Sequence, residues 1–341
     1  MDYSVLVSHE PNKIILEKRS LSDDAFTDDS VLMKLSYSAV SAGTECAWLS
    51  GNANNAGNTF PYYPGYSSSG IIEKVGKNVK SFAPGDKVIA WNVGHLSHII
   101  LPEETAKQRL YKIQEENISL KEAAFGYIST FPMLGIRKLQ IEMGESVMIA
   151  GLGILGQLAV QFARLRGAYP VLACDMDPAR RALALKMGAD MVFDPSDEDF
   201  IDQVIKATNG KKVNAVVEVT GKAIALRQAL KYTARMGRIV LTGCTRVPEG
   251  VIDFYRDVHL TGISIIGGHT STRPSVDSRT GAWTHLDDLR TWSNFLSSGR
   301  VDMASLITQT LSPKDAQEVY TMLLTTKNPP LGLIYDWSTI A

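Results

Sequence analysis

Apolar and polar residues follow one another in two different rhythms along this chain. Over the first 120 residues the apolar positions form short runs, at 4–7, 31–38, 70–75, 87–91 and 97–101, separated by turns such as Pro84-Gly85-Asp86. Runs of that length bounded by Gly, Pro, Asn and Asp predict β-strands. From about residue 120 the pattern changes. Apolar runs at 147–150, 171–173, 191–193, 215–219, 238–242 and 264–266 then alternate with helix-like segments, among them 178–187, 199–209 and 223–233. Strand and helix in alternation predict a parallel sheet with crossover helices. Two more helices are expected at 286–297 and 314–325, with Gly299 as a stop between them.

The most informative stretch is 146–168. Val147, Met148 and Ile149 lead into Gly151-x-Gly153-x-x-Gly156, after which Leu155, Leu158, Ala159, Phe162 and Leu165 recur at helical spacing. In such a unit the first glycine permits a tight turn, the second lets backbone approach a pyrophosphate, and the third lets helix pack on strand. The N–H groups of the opening turn, at Ile154 and Leu155, and the positive dipole end then face the phosphates. A second strand ends in Cys174-Asp175, near the roughly 20-residue interval at which an acid takes the adenosine ribose hydroxyls. Asp175 can also be read as an ordinary surface aspartate after a strand. The whole unit predicts dinucleotide binding, and an acid that repels a 2′-phosphate favours NAD over NADP.

Bulk properties narrow the setting. The 341 residues suffice for two domains, and 45% hydrophobic with 21% charged residues is a globular composition. A formal net charge of −1 gives no electrostatic case for nucleic acid or an anionic membrane. Cys46, Cys174 and Cys244 form neither a C-x-x-C pair nor a disulfide framework, which predicts a reducing, cytoplasmic location. The N-terminal residues lack a basic segment followed by an apolar core, so no secretory leader is expected. Glycines and glutamines interrupt the apolar run at 147–165, which argues against a membrane span.

Taken together these pieces resemble the medium-chain dehydrogenase/reductase superfamily. The resemblance runs through Pro64-Gly65-Tyr66-Ser67-Ser68-Ser69-Gly70, Pro84 to Val88, the glycine turn, Leu185 to Asp190, Val216 to Gly221, Gly237 to Val240 and Ser298 to Asp302. It implies an α/β protein in which a Rossmann-type, doubly wound parallel sheet (121–268) is inserted into a GroES-like β-barrel-type catalytic domain (1–120, completed by 269–341). It further implies a dehydrogenase acting on a small-molecule secondary alcohol or ketone, with NAD as cofactor. A homodimer or homotetramer would pair through residues 260–266. Zinc-free quinone or enoyl reductases and a non-catalytic nucleotide-binding relative share the fold and stay open as alternatives.

Where zinc members carry C-G-[ST]-D, this chain has Ala42-Gly43-Thr44-Glu45; where they carry G-H-E, it has Gly65-Tyr66-Ser67. The stretch 123–137, expected to give a third ligand, holds no Cys, Asp or Glu. A catalytic zinc needs three ligands of these kinds or His, so no metal is expected. A displaced site of Cys46, His95 and His98 is the competing possibility, although His95 and His98 should point to opposite faces of a strand.

Without zinc, a side chain must take the hydroxyl proton and stabilise charge on oxygen. Tyr66, in the lost histidine's slot, is the candidate acid/base; it could also simply fill the vacated cavity. Thr44 matches a proton-relaying hydroxyl, or is a turn residue at the start of a helix. Glu45 could orient a basic partner or cap that helix. His269 follows the strand whose end the family places near the nicotinamide carboxamide, and Arg273 is a possible anion or hydroxyl contact. On the cofactor side the resemblance adds Arg180, Thr220, Gly243, Cys244 and Gly267. Trp48, Asn52, Asn55, Tyr62, Tyr63 and Trp91 could form a wall for a sugar- or cyclitol-like substrate, or be core and loop residues.

Overall fold

The computed structural model describes residues 1–51, 59–246 and 250–340. The loop candidates Asn52 and Asn55 lie outside these. The chain divides into two compact units, residues 1–128 with 289–341, and residues 129–288. Among the described residues no helix is long and apolar enough to cross a membrane.

Unit 129–288 is built on a six-stranded sheet in the order Met191–Phe193, Val171–Cys174, Val147–Ala150, Val213–Glu218, Thr233–Leu241 and Ser264–Gly267. Every pairing is parallel. Helices lie on the crossovers, including Ile154–Leu165, Pro178–Lys186, Phe200–Ala207 and Ala223–Tyr232. Strands covered on both faces need apolar residues at every position, which is why Val147 to Ala150 and Val171 to Cys174 are buried throughout. The chain steps outward from Val147–Ala150 in one direction and then returns to its other side with Val213–Glu218. Such a reversal opens a crevice at the carboxyl ends of the two central strands, where sheets of this kind take ligands.

Helix Ile154–Leu165 departs in detail from its apolar spacing. Leu165 is exposed, while Gln157 and Gln161 are buried. Gln157 is accommodated because its amide donates to the carbonyls of Leu152 and Arg180, at 3.3 and 2.9 Å.

The other unit centres on one long strand, Ser30–Ala39. One edge pairs antiparallel with Ser67–Val75; the other takes His98–Pro102 near its start and Leu333–Asp336 near its end. Sharing one edge between two partners bends the strand, and Lys87–Trp91 and Leu110–Lys112 extend the sheet beyond Ser67–Val75. Residues 289–341 are integral to this core: Tyr320, on the helix Ala316–Thr325, and Tyr335 are buried with Leu6, Met33, Leu35 and Ile72. In the antiparallel register Ser38 lies opposite Ser68. The chain leaving the first strand toward Ser41 and the chain entering the second from Tyr66 therefore stand at the same end of the pair.

Candidate active site

That shared strand end brings Ser41, Thr44 and Tyr66 together. Ser41 is the N-cap of the helix Ala42–Leu49, and its hydroxyl makes a short hydrogen bond with the Tyr66 phenol. Tyr66 meets Tyr127 edge to face at 6.0 Å between ring centroids. Burial pushes the phenol well above its ordinary value; the Ser41 bond pulls the other way, the Glu45 charge adds to the rise, and the Thr44 hydroxyl opposes it. Gly65 fixes the approach of Tyr66. Its φ is +97°, and a Cβ there would stand 2.4 Å from the backbone nitrogen of His95, so only glycine fits.

Beneath this cluster lies a buried polar network that also draws on residues 289–341. Glu45 and His95 are both 0% exposed. Glu45 Oε2 accepts from the Tyr320 hydroxyl and lies 3.3 Å from His95 Nε2, while Oε1 accepts from the Ser41 N–H at 3.2 Å. The other ring nitrogen of His95, Nδ1, is 2.7 Å from Ser38 Oγ, which accepts from Trp337 Nε1 at 2.8 Å. One arrangement of protons satisfies all of it: Trp337 donates to Ser38, Ser38 to His95, and His95 to Glu45.

The positions where zinc ligands were looked for hold other groups. Ala42 packs against the apolar core, Tyr66 is bonded to Ser41, and the buried Ser67 hydroxyl donates to the Ala124 carbonyl at 2.6 Å. The alternative set does not converge either. His95 is tied to Glu45, His98 is partly exposed with Glu73 at 3.8 Å, and the Cys46 thiol is pushed up to about 12 by burial and the Glu45 charge. Among the described residues no three His, Cys, Asp or Glu side chains gather where a metal ion could be held. This donor set does not fit zinc.

In unit 129–288 the glycine turn closes the central strand. Gly151 has φ +97°, and a Cβ on it would meet Thr220 Cγ2 at 2.7 Å. A Cβ on Gly156 would stand 1.9 Å from the Gly151 carbonyl oxygen, whereas one on Gly153 would meet nothing within 4 Å. The helix thus rests directly on the turn while the backbone at Gly153 faces open space. Gly153 is its N-cap, and no side chain among the described residues caps the first turn at Ile154 and Leu155. An uncapped helix start beside open space leaves N–H donors able to accept an anion.

Asp175 borders that turn. Its Oδ2 accepts from the Leu152 N–H at 2.7 Å and its Oδ1 from the Asp177 N–H at 2.9 Å. Asp177 in turn caps the helix Pro178–Lys186, which carries Arg180, with Arg180 Nε 3.8 Å from Asp177. On the far side Glu218, its carboxyl raised by burial, accepts from the N–H groups of Thr220 and Gly221 and shapes the turn that holds Thr220. Gly243 cannot carry a side chain, since its Cβ would stand 2.4 Å from the Gly221 nitrogen. Cys244 beside it is exposed. Gly267 ends the edge strand, with its carbonyl accepting from Lys138 Nζ at 2.6 Å.

The remaining candidates sit as follows. Trp91 is 5% exposed and stacked on Tyr127 at 5.6 Å, a core position rather than an open wall. Trp48 stacks on Tyr62 at 5.5 Å. Tyr63 is exposed, with its hydroxyl accepting from Arg19 and the Arg19 guanidinium over its ring. His269 is exposed and caps a short 3-10 turn, Thr270–Thr272, through Nδ1. Arg273 is only 3% exposed: NH1 is 2.7 Å from the buried Asp288 carboxylate and NH2 donates to the Thr130 carbonyl. Arg137 takes the other Asp288 oxygen at 2.7 Å, so Arg273, the possible anion or hydroxyl contact, is engaged in an internal ion cluster.

Sequence reasoning did not find Ser41 or Tyr320 as partners, and it treated His95 only as a metal candidate. One signal was available for Ser41. Both motifs adjoin predicted strands that an antiparallel pairing would bring to one end.

Comparison with known proteins agrees with this architecture. Residues 27–125 match the alcohol dehydrogenase GroES-like domain family, and residues 155–284 match the zinc-binding dehydrogenase family. The chain is 30% identical over 241 residues to an alcohol dehydrogenase of Geobacillus stearothermophilus, covering 62% of this chain and 69% of that one. It is 27% identical over 252 residues to the D-guloside 3-dehydrogenase of Escherichia coli K12, covering 74% and 70%. A Sinorhizobium meliloti 1021 protein whose crystal structure is bound to NADP superposes with a TM-score of 0.82 at 18% identity, over 99% of this chain and 100% of that one. The chain belongs to the medium-chain dehydrogenase/reductase superfamily, as an alcohol or polyol dehydrogenase with a GroES-like domain and a parallel α/β domain.

Proposed function

We propose that this chain is an NAD-dependent, zinc-independent dehydrogenase of secondary alcohols of the sugar or cyclitol kind. The observation that carries the reading is the content of the three metal-ligand positions: a methyl group, a phenol bonded to Ser41, and a serine hydroxyl engaged by backbone. The guloside specificity in the name of one relative and the alcohol specificity of another support a carbinol substrate.

A nicotinamide ring, when bound, supplies the hydride acceptor; the chain has to supply everything else. The glycine turn and the helix start at Ile154 and Leu155 receive the phosphates, and Asp175 stands where a 2′-phosphate would be repelled. Tyr66 meets the substrate oxygen. Because burial holds its phenol in the protonated form, it donates a hydrogen bond to that oxygen, and in the direction of ketone reduction it delivers the proton. Ser41 and Thr44 orient it. The edge strand Ser264–Gly267 is the surface through which two copies would pair, and the three free cysteines suit a reducing cytoplasm.

The test is NADH formation from NAD with D-sorbitol, other polyols, cyclitols and sugar glycosides, with and without a chelator. Turnover that survives the chelator is expected. Turnover abolished by it would overturn zinc independence. NADPH-dependent reduction of a quinone or enone without alcohol oxidation would assign the reductase chemistry instead. Tight NADH binding with no turnover would leave a non-catalytic relative.

A further inference from the structure

We propose that Glu45 is a positioning residue for the Tyr66 phenol, acting through Ser41, and that His95 and Tyr320 exist in the fold to hold Glu45. The proposal rests on the reading of Tyr66 as the group that meets the substrate oxygen.

Ser41 does not behave as its position in the helix dictates. An N-cap serine ordinarily turns its hydroxyl onto the N–H groups of the first helical turn. Ser41 occupies that position, yet its side chain makes no capping bond; the hydroxyl is on Tyr66 instead. Glu45, on the same helix, reaches back and takes the Ser41 N–H on Oε1. The carboxylate therefore fixes the Ser41 backbone without using its hydroxyl, which leaves the hydroxyl free to grip the phenol.

Such a carboxylate has to be held without water. Its second oxygen is satisfied by Tyr320 and by His95. A buried paired charge adds little stability over an apolar side chain of similar volume, so stability alone gives this group no purpose. His95 also acts on the other side of the pair. Its N–H donates to the Pro64 carbonyl at 2.8 Å and the Gly94 N–H donates to Gly65 at 3.1 Å, clamping the two residues that precede Tyr66. One side chain, Glu45, thus links the anchor of Ser41 to the anchor of Tyr66.

The experiment labels tyrosines with a carbon isotope at Cζ and assigns the Tyr66 resonance by its loss in Tyr66→Phe. Wild type, Ser41→Ala, Glu45→Gln and the double variant are then compared. Glu45→Gln and Ser41→Ala should each displace the Tyr66 resonance while those of Tyr3 and Tyr169 stay, and the double variant should go no further than Ser41→Ala. An unmoved Tyr66 resonance in Glu45→Gln, or a double variant displaced by the sum of the singles, overturns the proposal. If Glu45→Gln does not fold, Tyr320→Phe removes one of the donors holding Glu45 and is read against Ser41→Ala in the same way. In turnover, Glu45→Gln should lower kcat roughly tenfold with KM unchanged, the loss of one aligned hydrogen bond. Wild-type turnover by Tyr66→Phe would instead sink the role given to Tyr66, and the resonance data would still decide whether Glu45 positions it.

Discussion

In unit 129–288 the groups around the glycine turn come from one strand–helix–strand unit: Gly151, Gly153 and Gly156 in the turn itself, and Asp175 just past the end of the next strand. In the other unit Ser41, Tyr66, His95 and Tyr320 come from four separate stretches, and the Tyr320 hydroxyl reaches Glu45 across 275 positions of sequence. The first arrangement is dictated by backbone sterics, which act locally: a Cβ at Gly156 would collide with Gly151. The second is dictated by polar satisfaction, since a buried carboxylate takes whatever donors the fold brings to it. A turn of the first kind fails through its own residues. A site of the second kind can be disabled from far along the chain.

Unit 129–288 has long-range polar ties too, among them Lys138 to the Gly267 carbonyl and Arg238 to Glu145, and breaking its most deeply buried one is the harshest test of that contrast. Asp288 is buried between Arg137 and Arg273, and Asp288→Ala would leave two cations facing an empty pocket. A loss of about 3–5 kcal/mol is expected, read as a fall in the denaturation midpoint. A loss below about 1 kcal/mol would mean that this buried tie does little to hold the unit. Gly156→Ala comes next. The atom its methyl would strike is backbone, so a destabilisation near the upper end of the roughly 1–3 kcal/mol range for overpacking is expected, with loss of NADH fluorescence enhancement. Retained cofactor binding at full stability would contradict the packing of helix on turn.

Tyr66→Phe should leave the midpoint nearly unchanged and lower kcat by roughly a hundredfold, as removal of a general acid does. The effect that is smallest per step of the variable changed concerns His285, which burial and then the Arg273 charge push down to about 3. The unfolded imidazole binds a proton near pH 6.5 and the folded one does not. Stability is therefore at its full value above that pH and falls as pH drops from 6.5 toward 3, by no more than about 1 kcal/mol per pH unit once residual solvation is allowed for. His285→Gln should flatten that slope in midpoints measured against pH. An unchanged slope would place the acid sensitivity elsewhere.

The same division decides what could be read without a structure. The alternation of strands and helices after residue 120, the three glycines and the acid at 175 all follow from period and spacing, and the parallel sheet has them. Tyr66 was singled out by the motif position it takes over and Thr44 by the motif it matches, and the fold brings the two together with Ser41. Their setting was not legible. No periodicity announces that Ser41 turns away from its own helix, or that Glu45, readable as orienting a basic partner, finds His95. Arg273 shows the opposite case. A basic residue after the last strand invites the reading of an anion or hydroxyl contact, and only the fold reveals Asp288 as its partner.

The dependence of Glu45 on Tyr320 has a consequence for the order of events on the ribosome. Residues 1–128 emerge first, but their carboxylate at 45 must stay hydrated while the whole of 129–288 is translated, and that intervening unit has every strand of its sheet before the waiting segment has its partners. A nascent chain stalled short of residue 320 would then carry every strand of the parallel sheet together with an unfinished first unit. Completion of the parallel sheet and completion of the Glu45 network would then be separable in time during synthesis, the second waiting on Tyr320.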